Sequence, residues 1–287
     1  MKSRNLDQKK ITIKGRCKII ETSNSDKCVI KEKEKDLRSL HDYLKTRQFH
    51  NFPEIISEDE DNYIFDYIKS VKVPINQKAS DMANLLALLH NKTAYFKPIT
   101  ADYIKEIYEN IESNIIDTEL YYNELFERIK GEVIMSPSNY LLIRNSSKLI
   151  ANFEFLKREL NKWFKMMTDK TKERVVYCHN NLGIDHCLSN TEDYFISWEK
   201  YTIDSPVLDL IKLFKNDYNK YDFSNFFDIY NQRFPLSEEE KKLFFLLISI
   251  PSKITFVNYE YDNTVRVNEL LVYIYKTEKL IRPYYSP

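Results

Sequence analysis

Glycine is nearly absent from this chain, with three residues in 287. A backbone that closes tightly around phosphate groups needs several positions without a Cβ. So few glycines leave very little material for a Gly-rich phosphate loop. A charge excess of either sign is also missing: 43 Lys and Arg balance 43 Asp and Glu. Nucleic-acid binders carry a basic surplus or stripe, so no nucleic-acid partner is expected. Long uncharged apolar runs are lacking, and with them any candidate membrane span. The N-terminal MKSRNLDQKKITIKG has no apolar stretch of the secretory kind, which makes a cytoplasmic location the expectation. Four cysteines, Cys17, Cys28, Cys178 and Cys187, are too few for a disulfide framework in a chain this long. Reduced thiols are the default. What is present is apolar material: 43% hydrophobic residues, enough for a sizeable core in one large domain or two small ones.

The hydrophobic pattern changes character along the chain. Residues 11–68 read as a small β-rich unit with one helix. Ile11 to Ile13, Cys17 to Glu21 and Cys28 to Lys31 read as strands, and Ser23 to Asp26 as a turn between the last two. Over 33–47, Leu37, Leu40, His41 and Leu44 share one helical face. Strands are expected at 52–56 and 63–68, joined by the acidic turn Glu58 to Asp61. Residues 69–78 read as a linker. From Ala79 the pattern becomes helical: an apolar stripe through Met82, Leu85, Leu86 and Leu89 ends at His90, and helices follow at about 101–130 and 138–170. Short strands are predicted at Val175 to Tyr177 and Tyr194 to Ile196. Further helices are predicted from 207, and near 222–232, 237–249 and 265–282. No internal repeat or low-complexity tract is visible.

Four stretches fall in a telling order. They are Val29-Ile30-Lys31; Ile64-Phe65-Asp66-Tyr67-Ile68; Leu85-Leu86-Ala87-Leu88-Leu89-His90; and the segment from Cys178 through Asp204-Ser205-Pro206-Val207-Leu208-Asp209-Leu210. Together they resemble, in turn, the third-strand lysine, the hinge, the LA-x-LH helix and the catalytic and metal-binding segment of the aminoglycoside-phosphotransferase and choline-kinase superfamily. Within it the likeness is greatest to the spore-coat CotS branch. The resemblance covers nearly the whole chain. It implies an α+β, protein-kinase-like two-lobe fold of bacterial type: a small β-rich N-lobe over 1–70 and a larger, mainly helical C-lobe over 71–287, with a catalytic-loop-like segment at 177–200. A spore-associated assembly role is implied by that branch alone.

The resemblance also assigns slots, and their contents are unexpected. Phosphoryl transfer depends on a carboxylate that orients the attacking hydroxyl and on acids that hold magnesium against the phosphates. Asn181 stands at the catalytic Asp slot, and an amide cannot act as a base near neutral pH. His186 stands at the metal-binding Asn slot, and imidazole is a poor magnesium ligand. Ser197 occupies the second metal slot and brings no charge. Glu199 is a nearby acid that could act as a metal ligand, and Asp185 is the other local carboxylate. Lys31 would meet nucleotide phosphates, and Asp66 and Tyr67 would lie at the hinge. Glu34, Asp36 and Asp42 are the helix acids on offer to Lys31, and none stands clearly at the inward position. The loop Ile13-Lys14-Gly15-Arg16-Cys17 would cover phosphates, but its single glycine reads as a turn residue. His179 and Asp209 read as structural.

The expected function is therefore that of a catalytically impaired, kinase-like binding protein, a pseudokinase. No cofactor is expected, and its partner would be a protein or small molecule in the inter-lobe cleft. The alternative is an active small-molecule kinase that uses ATP, magnesium and an atypical acid. A zinc site built on Cys178, His179, His186 and Cys187 is disfavoured, because ordinary zinc modules separate paired ligands by two or three residues and neighbours on a strand face opposite ways.

Overall fold

The computed structural model describes residues 8–15, 17–22 and 26–285. Arg16 of the candidate phosphate loop and Ser23 to Ser25 of the predicted turn lie outside them. The elements in chain order are strands β1 (Gln8–Lys14), β2 (Cys17–Thr22) and β3 (Lys27–Glu32), helix α1 (Leu37–Thr46), strands β4 (Ile55–Glu58) and β5 (Asn62–Asp66), and helix α2 (Ile75–Thr93). Strand β6 (Tyr95–Pro98), helices α3 (Ala101–Lys130), α4 (Pro137–Arg144) and α5 (Ser146–Met167), and strands β7 (Lys172–Cys178), β8 (Cys187–Ser189), β9 (Asp193–Phe195) and β10 (Thr202–Asp204) follow. The chain then runs through helices α6 (Val207–Asp217), α7 (Phe223–Arg233), α8 (Glu238–Ser249) and α9 (Glu260–Ile281).

These elements divide between two compact units. The first comprises the chain up to Ala94, together with Tyr177–Ile203 and Phe226–Phe234. Its base is an antiparallel five-stranded sheet in the order β1-β2-β3-β5-β4. Side chains alternate between faces along a strand. Ile19, Val29 and Phe65 lie directly across from one another on β2, β3 and β5. Lys31, two residues past Val29, therefore shares their face. Helix α1 covers the sheet with Leu37, Leu40, His41 and Leu44, all buried. This is the face the apolar spacing predicts.

The helix itself is shorter than the periodicity suggested. It begins at Leu37 because Asp36 caps it: the Ser39 backbone N–H donates to Asp36 Oδ1 at 3.1 Å. A side chain that accepts the free amides of the first turn fixes where a helix starts. Other boundaries moved as well. The chain bends at Phe52 and stays irregular through Pro53 and Glu54, so β4 starts only at Ile55. The linker ends at Pro74, where α2 begins with a first turn of mostly exposed residues. The short strands β6, β8 and β10 carried no hydrophobic alternation long enough to predict.

The second unit comprises Tyr95–Val176, Asp204–Asn225 and the chain from Pro235 onward. Strands β6 and β7 pair antiparallel from Tyr95↔Val175 to Pro98↔Lys172. Around them α3, α5, α8 and α9 bury a continuous core that includes Ile115, Tyr122, Phe126, Phe153, Trp163 and Val267. The predicted helix 138–170 is two helices. Asn145 breaks it, with backbone dihedrals outside the helical region and a side-chain amide donating to the Leu141 carbonyl at 2.8 Å. Fully buried Glu159 is satisfied by Lys242 at 2.6 Å, Lys162 at 2.8 Å and Arg158 at 3.2 Å. Helix α8 opens on a reciprocal cap: Ser237 Oγ accepts from the Glu240 amide at 3.3 Å, and Glu240 accepts from the Ser237 amide at 2.8 Å. Ser237→Ala should destabilise the protein by about 1 kcal/mol in urea denaturation. An unchanged midpoint would show that the cap does not hold this helix. Among the described residues, no helix is long and apolar enough to cross a membrane.

Candidate functional site

Residues from three of the four motif stretches line a cavity of about 420 Å³ within the first unit; the Leu85–His90 stretch and Asn181 do not line it. The sheet face supplies Cys17, Ile19, Val29, Lys31 and Phe65. Helix α1 supplies Leu37 and His41. Asp66, Tyr67 and Ile68 form one edge, and Asp185, His186, Leu188 and Ile196 to Glu199 close the other. Residues far apart in sequence are thus brought to one place.

Lys31 is the centre of the polar contacts. Its Nζ donates to Glu199 Oε1 at 2.6 Å and to Ser197 Oγ at 3.0 Å. Both charged side chains are about 15% exposed, at 14% and 15%. None of Glu34, Asp36 and Asp42 takes this place. Asp36 instead caps α1, accepting from both the amide and the hydroxyl of Ser39. The lysine expected to meet phosphates and the acid considered as a metal ligand are thus held by each other.

The loop beneath is organised by backbone contacts. His179, fully buried, donates from Nε2 to the Ile196 carbonyl at 2.9 Å and packs against Trp198 at 4.5 Å between ring centres. This matches its structural reading. Asn180 has φ +60°, a left-handed conformation that asparagine tolerates better than most residues. It supplies the turn in a chain with little glycine to spare. Asn181 donates from Nδ2 to the Ser197 carbonyl at 3.3 Å. His186 donates from Nδ1 to the Asn181 carbonyl. A carbonyl can only accept, so Nδ1 carries a proton. Ser197 has φ +69°, a conformation that costs a non-glycine residue roughly 1 kcal/mol. A short 3-10 turn, Trp198–Lys200, follows it and orients Glu199. Nothing in the local residue pattern announced this backbone.

The slot residues Asn181, His186, Ser197 and Glu199 by themselves suit magnesium poorly, and Asp66 and Asp185 are the other carboxylates on the cavity wall. Hard divalent cations take anionic oxygens in a nearly octahedral arrangement. Glu199 is engaged by Lys31, the Asn181 amide is turned onto a backbone carbonyl, and Ser197 and His186 bring no negative charge. Two of the cysteines, Cys187 and Cys28, are poorly placed to react. Burial, followed by the nearby Asp193 carboxylate, pushes the Cys187 thiol up to about 12, and burial also raises that of Cys28. Among the described residues, Cys178, His179, His186 and Cys187 do not come together as one ligand set. Gly15 adopts φ +59° with open space around it, as a turn residue does.

His41 stands out on the inner wall. It is 3% exposed, and neither ring nitrogen has a hydrogen-bond partner among the described residues. Its ring stacks on Phe52 at 4.1 Å. Burial, helped by Lys45 and Arg38, lowers its pKa to about 4, so the ring is neutral at pH 7. The apolar spacing of α1 placed His41 in the core; its side chain borders the cavity while both ring nitrogens are buried.

A larger cavity, about 930 Å³, lies entirely in the second unit and is floored by Ile107, Trp163 and Leu247. Two of its acids are already paired, Glu239 with Lys170 at 2.6 Å and Glu240 with Arg174. Asp204, Ser205, Val207 and Leu208 of the fourth stretch line it, but Lys31, Asp66, Tyr67, His186, Ser197 and Glu199 all line the smaller cavity, which is therefore the candidate site despite its size.

The sheet, helices and loop together define the kinase-like α+β fold, with a small antiparallel sheet and a larger helical part. Solved structures bear this out. An aminoglycoside phosphotransferase from Alicyclobacillus acidocaldarius superposes with a TM-score of 0.71 over 97% of this chain and 92% of its own, at 11% identity. The AMP-bound spectinomycin phosphotransferase APH(9)-Ia gives 0.52 over 98% and 91%, at 11% identity. A glucosamine kinase gives 0.52 over 93% and 76%, at 9% identity. At such identities the likeness establishes the fold and leaves activity open. No family profile matches the sequence, and no curated protein matches it.

Proposed function

We infer that this protein is a kinase-fold binding protein without phosphoryl-transfer activity, a pseudokinase of the aminoglycoside-phosphotransferase type. The observation that carries the reading is the Lys31–Glu199–Ser197 contact, with 2.6 Å and 3.0 Å separations. In this contact the acid considered as a metal ligand is engaged by the lysine, and its third member, Ser197, brings no charge. Asn181 supports the same reading, since its amide offers no base for a hydroxyl proton. The preserved apolar walls support binding: Ile19, Val29, Leu188 and Ile196 line a space of the size ligand pockets have.

The test is direct. Purified protein is incubated with magnesium and ATP, with and without candidate hydroxyl acceptors, and ADP is measured. No saturable, magnesium-dependent ADP formation is expected. Turnover abolished by Glu199→Ala and by Asp185→Asn would overturn the reading in favour of an active kinase with an atypical acid.

A further inference from the structure

We propose that this chain binds further copies of itself head to tail, with strand β1 of one copy continuing the five-stranded sheet beside β4 of the next. The contact goes beyond the cavity and its ligand and depends on neither. It follows from the order of the sheet and from the charge on its two edges.

Strands β1 and β4 end the order β1-β2-β3-β5-β4, and among the described residues neither has a strand on its far side. An outer strand offers a row of backbone donors and acceptors to any strand laid beside it. Apolar side chains accompany these rows. Ile11 and Ile13 share one face of β1 and are 51% and 71% exposed, and Ile56 on β4 is 56% exposed. Ile11 lies directly across from Ile20, which is 3% exposed. The apolar row on that face thus runs from buried to open at the edge, where a neighbouring strand would extend it.

Charge selects the occupant. The β1 sequence QKKITIK holds three lysines and no acid. Lysines on an outer strand guard it against pairing with its own kind, since like charges placed opposite each other repel. A symmetric contact of β1 with β1 is therefore disfavoured. The other edge has the opposite sign. Strand β4 ends at Glu58 and runs into Asp59, Glu60 and Asp61. Lys33 at 3.0 Å and Arg38 at 2.7 Å hold Glu58, and among the described residues no cation forms an ion pair with the other three acids. This end of the sheet keeps a negative excess. Each edge thus repels its like and attracts the other, which makes the contact heterologous. Such a contact leaves one free edge of each kind at the ends, so copies add until a ring closes or a filament grows.

The experiment is sedimentation equilibrium of the full chain in low salt, from ~10 µM to ~1 mM. A contact confined to strand edges buries little area, so the association is weak. The average mass is expected to rise with concentration past that of a dimer, and to fall back in ~0.5 M salt. Ile13→Glu places an acid on β1, and Ile56→Lys places a cation on β4. Both positions are exposed, so the fold should tolerate the changes. Each variant alone should associate about tenfold more weakly than the parent. Mixed in equal amounts they should regain association, because the two unaltered edges still match and the two altered ones now attract. A folding defect in either variant would give no such rescue. In the parent protein, amide hydrogen exchange at the high concentration should slow on β1 and β4 together, a readout that needs no variant. A chain that stays monomeric across the range would overturn the proposal. So would association that survives Ile56→Lys, as a symmetric β1 contact would, or that survives Ile13→Glu. Failure of the mixture to regain association, or slowed exchange on one edge alone, would overturn it as well.

Discussion

Glu199→Ala is expected to destabilise the protein by about 3 kcal/mol, the scale seen when one member of a largely buried ion pair is removed. The cause is the ammonium left behind. Lys31 sits among Val29, Phe65 and Trp198 along the cavity, with Ser197 Oγ as its remaining acceptor at 3.0 Å. One hydroxyl cannot replace a carboxylate. Removing both charges is a different matter. Lys31→Met with Glu199→Leu takes away two desolvated ions together and should land within about 1 kcal/mol of the parent. Urea denaturation of the parent, both single variants and the double variant gives the coupling directly. If Glu199→Ala costs less than ~1 kcal/mol, the pair is a loose surface contact, and the argument that it occupies the phosphate-facing lysine loses its footing.

The second large effect is a pH dependence traceable to one side chain. His41 has a folded pKa of about 4 against an ordinary 6.5. Between those values the unfolded chain holds a proton that the folded chain rejects. Stability from this group is therefore complete above pH 6.5 or so, and it is lost as the pH falls towards 4. The gap corresponds to roughly 3 kcal/mol. The charges that act on it, Lys45 and Arg38, lie on or beside the same helix and stay positive across that range. Phe52 and Phe65, packed against its ring, do not titrate. Carboxylates elsewhere also titrate near pH 4, so the quantity to measure is the difference between the parent and His41→Leu. That difference should widen from pH 7 to pH 4, with the leucine variant the more stable at the acid end. Parallel curves would mean that His41 is solvated in the folded state.

The sequence carried some parts of this site and not others, for identifiable reasons. Periodicity read along a single element worked well. It put His41, Leu37, Leu40 and Leu44 on one buried face of α1 and read Gly15 as a turn residue. Order along the chain worked for the fold, since the strand–helix–strand sequence and the interval from Lys31 to the 179–199 loop suit a kinase-like topology. Pairings between distant residues were out of reach. Lys31 and Glu199 are separated by 168 positions, and which acid meets the lysine depends on a left-handed turn at Ser197 that serine does not advertise. The break at Asn145 was hidden for another reason: apolar residues continue on both sides of it, so the helical pattern runs through a point where the backbone does not.

The first unit is assembled from stretches that are made far apart in time. Asn51 donates from Nδ2 to the Asp193 carbonyl at 2.8 Å, and Asn91 donates to the Arg233 carbonyl at 2.9 Å, each across 142 residues. Phe195 donates its amide to the Asn51 carbonyl at 2.9 Å. When Asn91 leaves the ribosome, its partner has not yet been synthesised. At ordinary elongation speeds of ~5–20 residues per second, the nascent N-terminal sheet waits on the order of ten to thirty seconds for the hairpin and helix that complete it. During that interval Phe49 lacks its later neighbour Trp198. The same discontinuity that brings Glu199 to Lys31 therefore leaves the first unit incomplete until residues 177–203 and 226–234 have been made.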